Sequence, residues 1–141
     1  MGVTPARWLI DKSALWRASR PELEAVVLPQ LESGLVAVTI VTELEVGYSA
    51  QSLLDYQVTR RMLDQLLQIP VSLRAEQRAR EVQRLLVERG QHRSAGVADL
   101  LLAATAEIEG LTLWHYDADF DLIAEVTGQA AEWVVPRGTV D

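Results

Sequence analysis

Cysteine is absent from this 141-residue chain, and histidine occurs only twice, at His92 and His115. The first absence excludes disulfides, Cys-ligated zinc, iron–sulfur clusters and a thiol nucleophile. The second argues against a His-rich metal centre. Lysine is almost missing as well: Lys12 stands alone among 13 Lys and Arg residues, a bias that matches a high-GC coding signature. No apolar run approaches the roughly 20 residues that span a bilayer, and Met1–Ile10 is interrupted by Arg7, so neither a membrane segment nor a signal peptide is expected. A cytoplasmic protein follows as the default.

What is present describes a folded unit. The chain is 49% hydrophobic, which argues against disorder. A chain near this length buries about two-thirds of its unfolded surface and needs no covalent staple. No linker or internal repeat divides it, so a single domain over residues 1–141 is expected. The net charge is −7, with 20 acids. Phosphate-tracking proteins are usually basic, yet a carboxylate cluster for a divalent cation would itself lower the net charge. The acid excess therefore does not exclude nucleic acid.

Five short apolar runs read as strands: Trp8 to Ile10, Leu35 to Thr39, Ile69 to Val71, Leu111 to Trp114 and Trp133 to Val135. Most are continuous rather than alternating, which suits strands buried on both faces of a parallel sheet. Helical patterns lie between them: Pro21 to Leu31, Glu43 to Ala50, the Leu53 to Leu67 stripe, Arg74 to Arg89, Val97 to Ile108 and Phe120 to Val126. Alternating strands and helices imply an α/β/α layer sandwich. The Leu53 to Leu67 stripe, with Tyr48 and Tyr56 beside it, reads first as core.

In open parallel sheets, sites lie beyond the carboxyl ends of the strands. Asp11 follows the first run. Thr39 leads from the second into a helix that carries Glu43. His115, Asp117 and Asp119 follow the fourth. Asp99 is a lone acid in the apolar stretch Val97 to Ala104, where an uncompensated carboxylate is costly. Each has a plain structural alternative. Asp11 and Asp99 suit helix N-termini, Glu43 suits an exposed helix face, and Asp117-Ala118-Asp119 suits a capped loop. Those alternatives do not explain why the acids gather at one expected edge of the sheet.

In order along the chain, Asp11 with Ser13, Glu43-Leu44-x-x-Gly47, the stretch Ser94 to Ala104 with Asp99, and Asp117-x-Asp119-Phe120 resemble the PIN-domain pattern, in particular that of VapC-type toxin ribonucleases. The resemblance covers Leu9 to Phe120. It implies a PIN-like sandwich on a parallel five-stranded sheet. It also implies an endoribonuclease dependent on Mg²⁺, with Mn²⁺ as an alternative, whose acidic pocket and metal ligands are Asp11, Glu43, Asp99 and Asp117. Asp119 would be an accessory acid and Ser13 a supporting hydroxyl. Asp121 has no matching position. His115 stands where many relatives carry Ser or Thr. It reads either as a proton carrier near the site or as a strand-end residue without catalytic consequence. His92 reads as solvent-exposed.

The resemblance further implies a cognate antitoxin, a homodimer and a toxin–antitoxin hetero-oligomer. The chemistry suits the residues. Hard divalent cations prefer carboxylate oxygens, and bound metal lowers the pKa of water and stabilises charge on a phosphate. Residues Arg74 to Arg93 hold six Arg against three Glu, so RNA contacts are weighed here against internal ion pairs, with Arg93 the leading RNA contact. Rival readings are a PIN-type processing nuclease without antitoxin, a non-catalytic PIN-like module, and a phosphoacceptor receiver. The receiver pattern needs a Lys after a late strand, and Lys12 lies beside the first acid instead.

Overall fold

In this computed structural model, residues 6–141 are described; the first half of the Met1–Ile10 segment lies outside them. Five strands form one all-parallel sheet: β1 (Trp8–Ile10), β2 (Val36–Val38), β3 (Leu67–Gln68), β4 (Thr112–His115) and β5 (Ala131–Trp133). Their spatial order is β3-β2-β1-β4-β5. The order reverses direction at β1, so the ends of β1 and β4 flank the topological switch point where ligands of such sheets bind.

Seven helices connect the strands: α1 (Lys12–Leu15), α2 (Pro21–Glu32), α3 (Ile40–Tyr48), α4 (Leu53–Leu63), α5 (Leu73–Glu88), α6 (Val97–Glu109) and α7 (Asp119–Thr127). Alternation along β1 divides the core in two. Leu9, with Ala37 and Leu113, packs against buried residues of α5, α6 and α7. Trp8 and Ile10, with Val36, Val38 and Trp114, pack against Leu15 of α1, Leu23 and Val27 of α2, and Leu63 of α4. Helices thus cover both faces, which is why the strands are continuously apolar. No helix among the described residues is long and apolar enough to cross a membrane.

Two strands lie two residues upstream of the expected runs. β3 ends at Gln68 because Pro70 has no N–H to extend the ladder; its pairing closes with the Ile69 N–H donating to the Val38 carbonyl at 2.9 Å. β5 pairs in register through Ala131, Glu132 and Trp133. The helix expected from Glu43 starts three residues earlier, at Ile40, with Thr39 as its extended N-cap. The Leu53 to Leu67 stripe is core only at its end. Leu63 and Leu66 are buried, whereas Leu53 and Leu54 are 71% and 70% exposed. In the first turn of α4, Tyr56 lies beside Gly47 of α3, while Leu53 and Leu54 stay uncovered among the described residues.

Candidate active site

The carboxyl ends of β1 and β4 lie side by side. The Asp11 N–H donates to the Trp114 carbonyl at 2.9 Å, carrying the ladder one residue past β1. Asp11 then caps α1, its Oδ2 accepting the Ser13 N–H at 2.9 Å. Ser13 Oγ accepts the Tyr116 N–H at 2.8 Å and clamps the two strand ends together. Asp117 Oδ1 accepts the Asp119 N–H at 2.9 Å and closes the turn into α7. Both the turn reading and the shared-edge reading of these acids therefore hold at once.

Asp99 stands in the first turn of α6, and its Oδ2 accepts the Gly96 N–H at 3.2 Å. This is the helix-capping role, but it does not neutralise the charge. Burial pushes the Asp99 carboxyl up from 3.8 to about 6, and the nearby charges of Asp11, Asp117 and Asp119 push in the same direction against the Gly96 hydrogen bond. Asp11 is raised too, mainly by burial, in opposition to its bonds from Ser13. Burial also raises Asp119, with Asp117 adding to it. Four carboxylates from three segments thus share one field, with no cation among them in the described residues.

Glu43 sits apart from this group. It is buried in α3, close to the end of β1 through the Thr42 hydroxyl, which donates to the Ile10 carbonyl at 3.4 Å. Its Oε2 accepts from Arg60 Nη2 and, at 2.8 Å, from Gln68 Nε2. Arg60 of α4 and Gln68 of β3 are residues that sequence reasoning missed. They lie 17 and 25 positions from Glu43, and no local pattern marks the pairing.

His115 is fully buried, between Phe120 and Trp133 with ring centroids 5.1 and 5.2 Å away. Its Nδ1 accepts the Asp117 N–H at 3.2 Å, while Nε2 has no partner. Burial lowers its pKa from 6.5 to about 4. A neutral imidazole without solvent contact orients the Asp117 backbone and is not placed to carry protons. His92 is exposed, as expected.

Arg93 is exposed in the turn preceding α6. The α5 arginines are largely ion-paired: Arg78 with Glu81 and Glu107, Arg80 with Glu76, and Arg84 with Glu88. A cleft of about 1110 Å³ adjoins the acids, with Ser13 and Asp117 in its lining.

The donor set is right in kind for a hard divalent cation, because one buried and three half-buried carboxylates lie near one another at the strand ends. It is not closed as it stands: among the described residues, no three acidic or histidine side chains are close enough to enclose one ion. Asp11, Asp99 and Asp117 are the residues that would hold such an ion, and Glu43 would join only by turning from Arg60.

Comparison with known proteins identifies the family and agrees with the fold. The PIN domain model matches residues 8–126. Ribonuclease VapC51 of Mycobacterium tuberculosis is 46% identical over 135 residues, covering 96% of this chain and 98% of the relative. Ribonuclease VapC2 of the same organism is 48% identical over 141 residues, covering 96% and 97%. Among solved structures, DNA-bound VapBC from Salmonella typhimurium superposes with a TM-score of 0.78 at 18% identity, covering 92% of this chain and 99% of that one. VapBC2 from Rickettsia felis, also bound to DNA, gives 0.72 at 17% identity, covering 89% and 97%. The chain belongs to the PIN-domain family, among the VapC ribonucleases.

Proposed function

We propose that this protein is the toxin of a toxin–antitoxin pair, an endoribonuclease that hydrolyses RNA with Mg²⁺ or Mn²⁺. The observation that carries the reading is the convergence of Asp11, Asp99, Asp117 and Asp119, with Asp99 pushed to about 6. Close relatives named as ribonucleases over almost their whole length support the reaction class.

Asp11, Asp99 and Asp117 would hold the ion, with Glu43 as a further ligand. When bound, the ion supplies an acidified water and stabilises negative charge on the scissile phosphate. Asp119 would accept a hydrogen bond from the attacking water and hold it for attack in line with the leaving 3′ sugar oxygen. The products are a 5′-phosphate and a 3′-hydroxyl. Ser13 acts through the backbone by holding the strand ends in register, and His115 does so by accepting the Asp117 N–H.

Solved neighbours are VapBC complexes, and here Leu44, Tyr48, Leu53 and Leu54 expose apolar area on α3 and α4. Those residues support capture of a cognate antitoxin that inhibits the enzyme, and pairing of two copies of the chain. An antitoxin Arg entering the acid cluster would compete with metal.

The test is cleavage of total RNA by purified protein, with mapping of the new ends. Asp11→Asn and Asp99→Asn should abolish cleavage while circular dichroism stays unchanged, and excess EDTA should do the same to the parent chain. Full activity in both variants, or in EDTA, would refute the mechanism.

A further inference from the structure

The cleft beside the acids carries chemistry that the acids do not use. It opens at the switch point between β1 and β4 and shares Ser13 and Asp117 with the acid cluster. Trp16, at its mouth, is 67% exposed, although a large indole normally finds cover. The Arg17 guanidinium lies 5.0 Å from the Trp16 ring and 5.0 Å from the Tyr116 ring. Arg137 lies 5.7 Å from the ring of Trp133, whose indole N–H donates to Asp121 at 3.0 Å. Two guanidinium–indole pairs thus face one cleft.

These cations differ from those of α5. Arg78, Arg80 and Arg84 spend their charge on neighbouring carboxylates. Among the described residues, Arg17 and Arg137 have no carboxylate side chain within ion-pair distance. Arg17 donates to the backbone carbonyl of Ser13 at 2.8 Å and to the main-chain carboxylate oxygen of Asp141, the last residue, at 2.6 Å, so its charge is already met. In a chain of net charge −7, Arg137, for which no carboxylate partner is found among the described residues, sets positive charge where a polyanion would pass on its way to the acids.

We propose that this cleft is a subsite for single-stranded RNA: a base flanking the scissile phosphate stacks on Trp16, and Arg137 contacts an adjoining phosphate. The assignment rests on the ribonuclease reading above and extends it to the substrate's path. Stacking faces combined with cations are the general means of gripping an unpaired strand without reading its sequence. A base-paired helix keeps its bases stacked on each other and offers no free face to an indole. Ser49, Gln51 and Thr59, which line the cleft beside Val46 and Val140, can hydrogen-bond a ribose or a phosphate.

The experiment measures RNA affinity by fluorescence anisotropy, using the full chain carrying Asp99→Asn so that the RNA is not cut. The probe is a labelled single-stranded oligoribonucleotide of mixed sequence, compared with its duplex. Trp16→Ala and Arg137→Ala should each weaken single-strand binding about 5- to 100-fold, as loss of one base stack or phosphate contact predicts, and should leave duplex binding nearly unchanged. Both side chains are at the surface, so the thermal melt should not move. In the active chain the same substitutions should raise KM more than they lower kcat. Unchanged RNA affinity in both variants would overturn the subsite, even if they lose binding to a partner protein, because the cleft would then serve that partner. If the parent cleaves RNA and only Arg93→Ala weakens binding, the subsite falls while the ribonuclease reading stands. If the parent neither binds nor cuts RNA, both fall.

Discussion

Asp99 should trade stability for function. Its carboxyl is raised from 3.8 to about 6 in the folded chain, so the folded state binds the proton more tightly than the unfolded state does. Between those two values, stability falls as pH rises. Above the upper value the full penalty for holding the charge applies, roughly 2 pKa units or about 3 kcal/mol as an upper bound. Asp99→Asn removes the charge. It keeps an oxygen that can accept the Gly96 N–H and forfeits about 0.5 kcal/mol of helix-dipole interaction. The variant should therefore be more stable than the parent by about 2 kcal/mol at pH 7.5, and by only about 0.5 kcal/mol at pH 4.5. Urea denaturation in EDTA at the two pH values measures this directly. Excess Mg²⁺ should then stabilise the parent and narrow the gap, since an ion in the cluster removes the repulsion that the substitution relieves. A variant less stable than the parent at pH 7.5, or a difference that does not depend on pH, would refute the electrostatic argument.

Three further outcomes follow from the contacts. Arg60→Met leaves the buried Glu43 carboxylate with Gln68 as its one remaining donor among the described residues, and should cost about 1–3 kcal/mol in chemical denaturation; Arg60→Met combined with Glu43→Gln should recover part of that loss. Ser13→Ala removes the acceptor for the buried Tyr116 N–H and should cost about 1–3 kcal/mol, with cleavage falling because the β1 and β4 ends lose their clamp. His115 should stay neutral throughout the range in which the enzyme is assayed: its folded pKa of about 4 lies below the ordinary 6.5, so its contribution to stability is complete above 6.5 and is lost as pH falls towards 4. Imidazole ¹⁵N chemical shifts followed over pH test this, and a midpoint near 6.5 would contradict the burial.

The parallel sandwich was legible because its causes are local. A continuous apolar run is what a strand covered on both faces requires, and the run–helix alternation lies in the linear order. The positions of Asp11, Asp99 and Asp117 were legible for a related reason: a carboxylate just past an apolar run, or alone in an apolar helix, stands out in one dimension. What failed was decided by distant neighbours. The stripe from Leu53 reads as core in isolation, yet α3 meets the first turn of α4 at Tyr56 and leaves Leu53 and Leu54 exposed. The Ile69 to Val71 strand was displaced upstream because pairing with β2 needs N–H groups that Pro70 lacks.

By itself, then, the sequence determined the layers, the absence of thiol chemistry and which acids end the strands, since these depend on residue type and spacing along the chain. Only the tertiary structure decided how each charge is spent. Glu43 is held by Arg60 and Gln68, which arrive from α4 and β3. His115 is silenced by Phe120 and Trp133. Arg78, Arg80 and Arg84 of α5 are met by glutamates, whereas Arg137 faces the cleft. Charge compensation and burial depend on distances of a few ångströms between residues far apart in sequence, and folding alone sets those distances.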